Sequence, residues 1–289
     1  MWRETVEVEP PYDFDRILDR LSNDPLNAIN MEAREIAVPL YDKENQPFVV
    51  TVKATGTKAK PTFEISGKAD TQKEFGLGEI RRIFQWDFSL SVISNHFELS
   101  NIAEVFKEHE GTPLVLDFDL YSCLMKCIVH QQLNLSFAHT LTKRFVQTYG
   151  FELDGVWFYP KPEIVAALSY DDLRALQFSG RKAEYAIDTS KMIVEGTLNF
   201  NELPSLSDEE ILKKLIKIRG VGPWTVQNLL LFGLGRPNLF PKADIGIQNA
   251  LKKHFNLEKK PTQDEMADYS KEWEPYLSYA SLYLWRSIE

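Results

Sequence analysis

Asp244 is a carboxylate at the junction of a loop and a helix. Phe240-Pro241-Lys242-Ala243 reads as loop, and Ile245-Gly246-Ile247-Gln248 opens a helical pattern. Capping the helix N-terminus is the ordinary reason for an aspartate there. Loops on rigid scaffolds also hold functional groups. A rigid carboxylate in a partly desolvated cleft can stabilise a developing sugar cation, as in glycoside hydrolysis, and it can cap at the same time. Twenty residues earlier, Trp224 closes the run Leu215-Ile216-Lys217-Ile218-Arg219-Gly220-Val221-Gly222-Pro223-Trp224. This run reads as a helix end, a two-glycine hairpin and a second helix. Gly220 and Gly222 are expected to supply positive φ for a tight turn. Pro223 suits the first helical position. Such a turn presents bare amides at a helix N-terminus, a ready site for phosphate. A phosphate grip followed by a placed carboxylate points to chemistry on a nucleic acid.

Other residues carry two readings each. Trp224 either packs in a core or lines a base pocket beside Asp244. The segment Trp273 to Arg286 is rich in aromatics, and Tyr276, Tyr279 and Tyr283 share a helical face by their spacing. An aromatic stripe is usually core, but it also suits a cleft for a flat, electron-poor base. His130-Gln131-Gln132-Leu133-Asn134 ends an apolar helix with a polar tip, either a plain helix terminus or a probe that fills the gap left by an extruded nucleotide. His96, His109, His139 and His254 show no metal-ligand spacing. Lys213, Lys214, Lys217 and Arg219 cluster before the hairpin, where each alone reads as part of a solvated helix face and the cluster as a local phosphate footprint. Lys182 and Lys191 flank another helical segment.

The elements that must position these groups fall into two parts. The chain of 289 residues is long enough for two cores. Residues 1–115 mix strands and helices. Strands are expected over 5–9, 33–40, 46–54 and 61–66, and helices over 11–21 and 75–86. Together they suggest an antiparallel sheet backed by helices. Residues 116–289 show no strand alternation. Helices are expected over 120–132, 137–149 (with Ser136 as N-cap), 163–168, 170–176, 181–195, 211–218, 223–234, 244–254, 262–272 and 275–287. Ser207 with Glu210 has the capping-box spacing. The fold class is α+β, a mixed domain followed by an all-α one. Net charge is −9, which argues against coating nucleic acid by bulk attraction but leaves room for a small local footprint. Cys123 and Cys127, the only cysteines, read as buried thiols, and their number excludes a four-cysteine cluster. No secretory signal or membrane-spanning run is visible.

These segments together resemble the helix-hairpin-helix superfamily of DNA glycosylases, in the branch of DNA-3-methyladenine glycosylase II. Glu9-Pro10-Pro11-Tyr12-Asp13-Phe14 resembles that branch's opening "PPYDW". Ile128 to Gln132 is similar to its "I-x-x-Q-Q" helix end, and Leu215 to Thr225 to its "L-x-x-I-x-G-[IV]-G-x-W-T" hairpin. Trp273 to Trp285 resembles "W-x-P-[WY]-R-S-Y-A-x-x-x-[IL]-W". The resemblance implies a helical glycosylase domain whose cleft holds the site, with Asp244 as the catalytic aspartate. It further implies that Trp285 lies beside Asp244, that Trp224, Tyr276 and Tyr279 line the base pocket, and that Gln132 is wedged into the duplex beside Gln131. Arg219, Gly220, Val221, Gly222 and Thr225 are likewise expected to contact the strand. The family's lyases carry a lysine where this chain has Trp224, so no amine is available there for a Schiff base.

The expected activity is hydrolytic excision of alkylated purines, flipped from double-stranded DNA, by a monofunctional enzyme. N3- or N7-alkylation makes the base cationic, so it departs neutral and needs little acid catalysis. The alternatives are a glycosylase for oxidised or deaminated bases and a non-catalytic DNA-binding module. No cofactor is required. The resemblance implies a sodium or potassium ion at hairpin carbonyls near Ile218 and Val221 when DNA is bound. A monomer in the bacterial cytoplasm, with no membrane or protein partner, is expected. Departures stand at Gln132, where the branch is apolar, at Asn228, at Leu277 in place of arginine, and at Gly246 inside a helix, where glycine costs about 1 kcal/mol relative to alanine.

Overall fold

The structure, a computed structural model, describes residues 1–288. Five antiparallel strands form one sheet: β1 (Trp2–Glu7), β2 (Ala28–Asn30), β3 (Glu35–Tyr41), β4 (Pro47–Ala54) and β5 (Thr62–Gly67), in the order β1-β5-β4-β3-β2. Alternation places Ile36, Val38 and Leu40 of β3, and Phe48, Val50, Val52 and Ala54 of β4, on one buried face. Four helices accompany the sheet: α1 (Phe14–Leu21), α2 (Lys73–Ile83), α3 (Leu90–Phe97) and α4 (Ala103–Glu108). The Tyr12 hydroxyl donates to the Phe84 carbonyl at 2.7 Å, pinning the entry to α1 against the end of α2.

The remaining chain is mainly helical: α5 (Leu120–His130), α6 (Leu135–Tyr149), α7 (Pro162–Ala166), α8 (Tyr170–Ala175), α9 (Gly180–Val194), α10 (Asp208–Leu215), α11 (Pro223–Asn228), α12 (Ile245–His254), α13 (Gln263–Tyr269) and α14 (Leu277–Arg286). Two short strands interrupt it. β6 (Phe151–Leu153) and β7 (Val156–Phe158) form a hairpin that contacts β3 and β4 of the first part. The second part is therefore not purely helical. Strands of three residues are too short to show a period in sequence. The Phe151 and Phe158 rings stack at 4.9 Å, and the Tyr41 ring meets Phe158 edge-on.

Two cores exist, and they do not follow the order of the chain. One holds the sheet, α1–α4 and the C-terminal helices, with Trp273, Tyr279 and Tyr283 among its largest buried side chains. The other is built from α5 to α11. The chain thus leaves the first core near residue 116 and returns to it after the hairpin. Cys123 and Cys127 are buried free thiols in the second core. No helix among the described residues is long and apolar enough to cross a membrane.

α5 is the central strut. The Asp119 side chain caps its start by accepting from the Ser122 N–H at 2.8 Å. Lys182, buried on α9, donates to the Val129 carbonyl at 2.6 Å and so satisfies one of the exposed acceptors at its end. The next cap differs from expectation. Asn134, not Ser136, caps α6, its side chain accepting from the Phe137 N–H at 2.9 Å. The turn after α5 is tighter than the sequence period implies, so the helix restarts two residues early.

His130, the last residue of α5, pairs with the Thr142 hydroxyl of α6 at 3.1 Å. Burial, reinforced by Lys126 and by His139, pushes its pKa down to about 4. The unfolded chain takes up this proton near 6.5, well before the folded one does. The stability held by neutral His130 is therefore complete above about pH 6.5 and is lost as pH falls towards 4. Urea midpoints measured across that window should fall for the wild type, and His130→Gln should flatten the slope.

Candidate active site

The hairpin is built as its sequence suggests, with one exception. Ser207 and Glu210 form a reciprocal capping box that starts α10. The helix ends at Leu215, and the Val221 N–H donates to the Ile218 carbonyl at 3.0 Å inside the turn. Gly220 has φ of +88°, and a Cβ there would sit 2.2 Å from the Tyr185 ring of α9. Conformation and packing both demand glycine at this position. Gly222 does not take positive φ. It is extended at −99°, 175° and is the N-cap of α11, with nothing within 4 Å of a Cβ. A single left-handed residue closes this turn, so the second glycine serves openness around the α11 amides. Pro223 occupies the first position of α11.

Gln131 braces the hairpin from behind. Its side-chain amide donates to the Gly220 carbonyl at 2.8 Å and to the Thr225 hydroxyl at 3.0 Å. These bonds join the end of α5 to both arms of the turn. Thr225 is buried, so the two side chains expected at the strand face inward to each other. Val221 is buried as well, which leaves its backbone as the part that can meet a ligand. Gln132 is different. It is exposed, with φ of +55°, and its side chain has no hydrogen-bond partner among the described residues. A non-glycine residue in that conformation is strained by roughly 1–3 kcal/mol, and here the strain projects a bulky polar tip.

Asp244 is the N-cap of α12. Its Oδ1 accepts from the Ile247 N–H at 3.0 Å and from the Trp285 Nε1–H of α14 at 2.9 Å. Both donors use the same oxygen, so Oδ2 stays available, and the half-buried carboxyl has one fixed orientation. Gly246 explains itself here. A Cβ would lie 3.0 Å from both Asp244 Oδ1 and Trp285 Cδ1. The helix gives up propensity so that the indole can reach the carboxylate.

The hairpin connects to this pair through α11. That helix widens into a π-turn over Leu229–Gly233, with the Leu234 N–H reaching back to the Leu229 carbonyl at 3.1 Å. The turn presents Phe232, whose ring stacks on Trp285 at 6.0 Å and 28° and lies under the Arg20 guanidinium at 4.5 Å. From Trp224 to Phe232 is roughly 12 Å along a helix axis. The phosphate-sized turn and the carboxylate thus lie at opposite ends of one short rigid element. Trp224 stands at the hairpin end, 36% exposed, with its carbonyl held by the Asn228 side chain at 2.8 Å. No hydrogen bond or ring contact joins it to Asp244 among the described residues.

The aromatic stripe of α14 divides. Trp285 meets Asp244, while Tyr276, at the helix start, is half-buried with its ring edge-on to His96 at 5.2 Å. Tyr279 is 1% exposed and stacked on Phe88, so its ring belongs to the core and not to an open pocket wall. Tyr283 likewise is buried, its hydroxyl donating to the Thr112 carbonyl. Phe232, Tyr185 and Gly246 were missed as site residues because their roles depend on contacts across 30 or more residues of sequence. Only Gly246, an unfavourable residue within a helix, carried a local signal.

The basic cluster is largely neutralised within the protein. Lys213 pairs with Glu209 at 2.5 Å, Lys214 with Glu202 at 2.6 Å, and Arg219 with Glu184 at 2.6 Å.

Comparison with known proteins matches residues 125–275 to the family described as HhH-GPD superfamily base excision DNA repair protein. A Bacillus subtilis protein named "Putative DNA-3-methyladenine glycosylase YfjP" is 63% identical, over all of both chains. A DNA-3-methyladenine glycosylase of the same organism is 37% identical over 59% of this chain and 57% of its own. The solved 3-methyladenine DNA glycosylase of Archaeoglobus fulgidus shares the fold with a TM-score of 0.85, at 18% identity, covering 99% of this chain and 97% of its own.

Gly220→Ala forces a Cβ into the Tyr185 ring and a left-handed backbone onto alanine. We expect equilibrium urea unfolding to show a loss of about 2 kcal/mol or more, while Gly222→Ala, with open space around it, should change stability by less than about 1 kcal/mol.

Proposed function

This chain belongs to the HhH-GPD superfamily of base excision DNA repair proteins, and from that membership we propose that it is a monofunctional DNA glycosylase that excises alkylated purines from duplex DNA. The observation that carries the reading is the oriented Asp244 carboxylate, held on one oxygen by Trp285 and by the α12 amide, with its other oxygen free. The names of the relatives at 63% and 37% identity, the first a putative and the second a plain DNA-3-methyladenine glycosylase, support an alkylated base over an oxidised one.

The chemistry follows from the substrate's charge. An N3- or N7-alkylated purine carries a positive charge, so its glycosidic bond breaks with the electron pair returning to the base, which leaves neutral. Positive charge then develops on the deoxyribose. A fixed carboxylate facing C1′ stabilises that charge with no reorganisation at the moment of reaction. Water adds to C1′ and loses its proton, giving an abasic site and a free base. The Trp285 indole and the stacked Phe232 supply a flat apolar surface beside the reacting sugar. Trp224 stands where the family's lyases have a lysine, so this position offers no nucleophile and the product strand stays unbroken.

The hairpin docks the strand. The open amides at Gly222 and the start of α11 accept a phosphate, while Gln131 keeps the turn from yielding. Gln132, exposed and left-handed, fills the space vacated by the everted nucleotide. A sodium or potassium ion fits the turn's donor set of backbone oxygens. The Gly220 carbonyl is taken by Gln131 and the Ile218 carbonyl already receives one N–H, whereas the Val221 carbonyl accepts no hydrogen bond among the described residues. Ile218 and Val221 would hold the ion, which would supply positive charge where a phosphate docks. The enzyme acts as a single chain in the bacterial cytoplasm.

Asp244→Asn keeps the cap but removes the charge. We expect release of 7-methylguanine and 3-methyladenine from methylated DNA to fall by about a hundredfold or more, with lesion-duplex affinity retained. Trp285→Phe keeps the ring stack and removes the N–H donor to Asp244. It should lower single-turnover excision by about tenfold with a smaller change in binding. Wild-type rates in Asp244→Asn would defeat the catalytic role, and strand cleavage without alkali would defeat the monofunctional one.

A further inference from the structure

We propose that Glu184 weakens the enzyme's hold on DNA, undamaged sequence included, by holding Arg219 away from the phosphates that the hairpin engages. The inference rests on the docking role of the hairpin given above and adds a residue to it.

Arg219 immediately precedes Gly220, and its side chain is the cation nearest the turn in sequence. Its Nη2 lies 2.6 Å from Glu184 Oε2, and its guanidinium sits 5.7 Å from the Tyr185 ring centroid. Glu184 and Tyr185 are neighbours on α9, and Tyr185 is the residue against which Gly220 packs too closely for any Cβ. The register of α9 against the turn is therefore fixed by contact, and the carboxylate is placed by the same packing that shapes the hairpin. Arg219 keeps 66% of its side-chain surface, so it can turn towards a bound strand, while Glu184 is more sheltered at 31%. One turn further along α9 stands Asp188, engaged by the Tyr170 hydroxyl at 2.8 Å.

Two consequences follow from electrostatics. A strand that recruits Arg219 must first break its pairing with Glu184, and it then lies beside an uncompensated carboxylate. Exposed pairs of this kind are worth a factor of up to about five in an equilibrium constant. The loss applies to every duplex, damaged or not. The contacts of the everted base add to lesion binding with or without Glu184, so what the pairing sets is the absolute hold on DNA. Glu184 in this way shortens the time spent on undamaged sequence, in a protein whose hairpin-side Lys213 and Lys214 are also paired internally, while Lys217 has no ion pair among the described residues.

The test compares wild type, Glu184→Gln, Arg219→Ala and the double variant by fluorescence anisotropy on an undamaged duplex across a salt series. Glu184→Gln should bind about two- to fivefold tighter, and its log affinity should fall more steeply with log salt by about one ion. Arg219→Ala should cost more in the Glu184→Gln background than in the wild-type one. In excision assays, undamaged competitor DNA should inhibit Glu184→Gln at lower concentration than wild type. Urea unfolding confirms that each variant is folded, and Glu184→Ala serves in place of Gln if the amide retains Arg219. Equal affinity and equal salt slope for wild type and both Glu184 variants would overturn the proposal, as would an Arg219→Ala cost independent of Glu184. Because these readouts use undamaged DNA, they stand apart from Asp244→Asn. Loss of excision specificity for alkylpurines would remove the reading above without touching the binding result.

Discussion

The hydrogen bond from the Trp285 indole to Asp244 is the constraint around which the rest of the molecule is arranged. It joins the last helix of the chain to the start of α12 across about 40 residues of sequence. To make it, α12 carries a glycine inside its first turn, since any larger side chain would crowd both partners. To hold the indole, α11 widens into a π-turn and delivers Phe232 to its face. To anchor α14, Tyr279 and Tyr283 are committed to the first core, and Ser278 and Ser281 bond to the Arg236 and Leu239 carbonyls of the loop before Asp244. The result is a carboxylate whose position is decided by several elements at once, the condition that the proposed electrostatic role would require.

A second device does the same for the hairpin. Its turn is short and glycine-containing, which would leave it free to deform. Gln131 ties both arms to the end of α5, Tyr185 fills the space beneath Gly220, and Lys182 completes the hydrogen bonding of α5 itself. Buried polar side chains are costly unless paired, and here each is paired across elements, so rigidity arises from satisfying them. The mixed domain takes part through the shared core. The C-terminal helices pack on the sheet side of the molecule, and the β6–β7 hairpin contacts β3 and β4. The two parts are therefore held in register with each other.

Several parts of the site were legible in the sequence because they depend on local chemistry. The Asp244 cap, the Ser207–Glu210 capping box, Pro223 at the helix start and the left-handed Gly220 all follow from backbone rules that act within four residues. Four of the five strands of the sheet were legible because they are long enough to alternate, whereas the three-residue β2 was not. The errors have physical causes too. Gly222 has the composition of a second left-handed residue, but one such residue already closes the turn. Ser136 and Asn134 are both good caps, and the tightness of the preceding turn selected Asn134. Tyr279 shares its helical face with Tyr276, and only the packing of Phe88 decides that it is buried.

The sequence by itself determined most of the longer elements, the left-handed residue of the turn and the capping role of Asp244, since propensity, capping and residue type are encoded in neighbours along the chain. Tertiary structure decided which side of each residue is used. It turned Gln131 and Thr225 inward to each other, gave Asp244 its indole partner, and set Glu184 against Arg219. Those outcomes depend on distances between helices far apart in sequence, and such distances are fixed only when the two cores close.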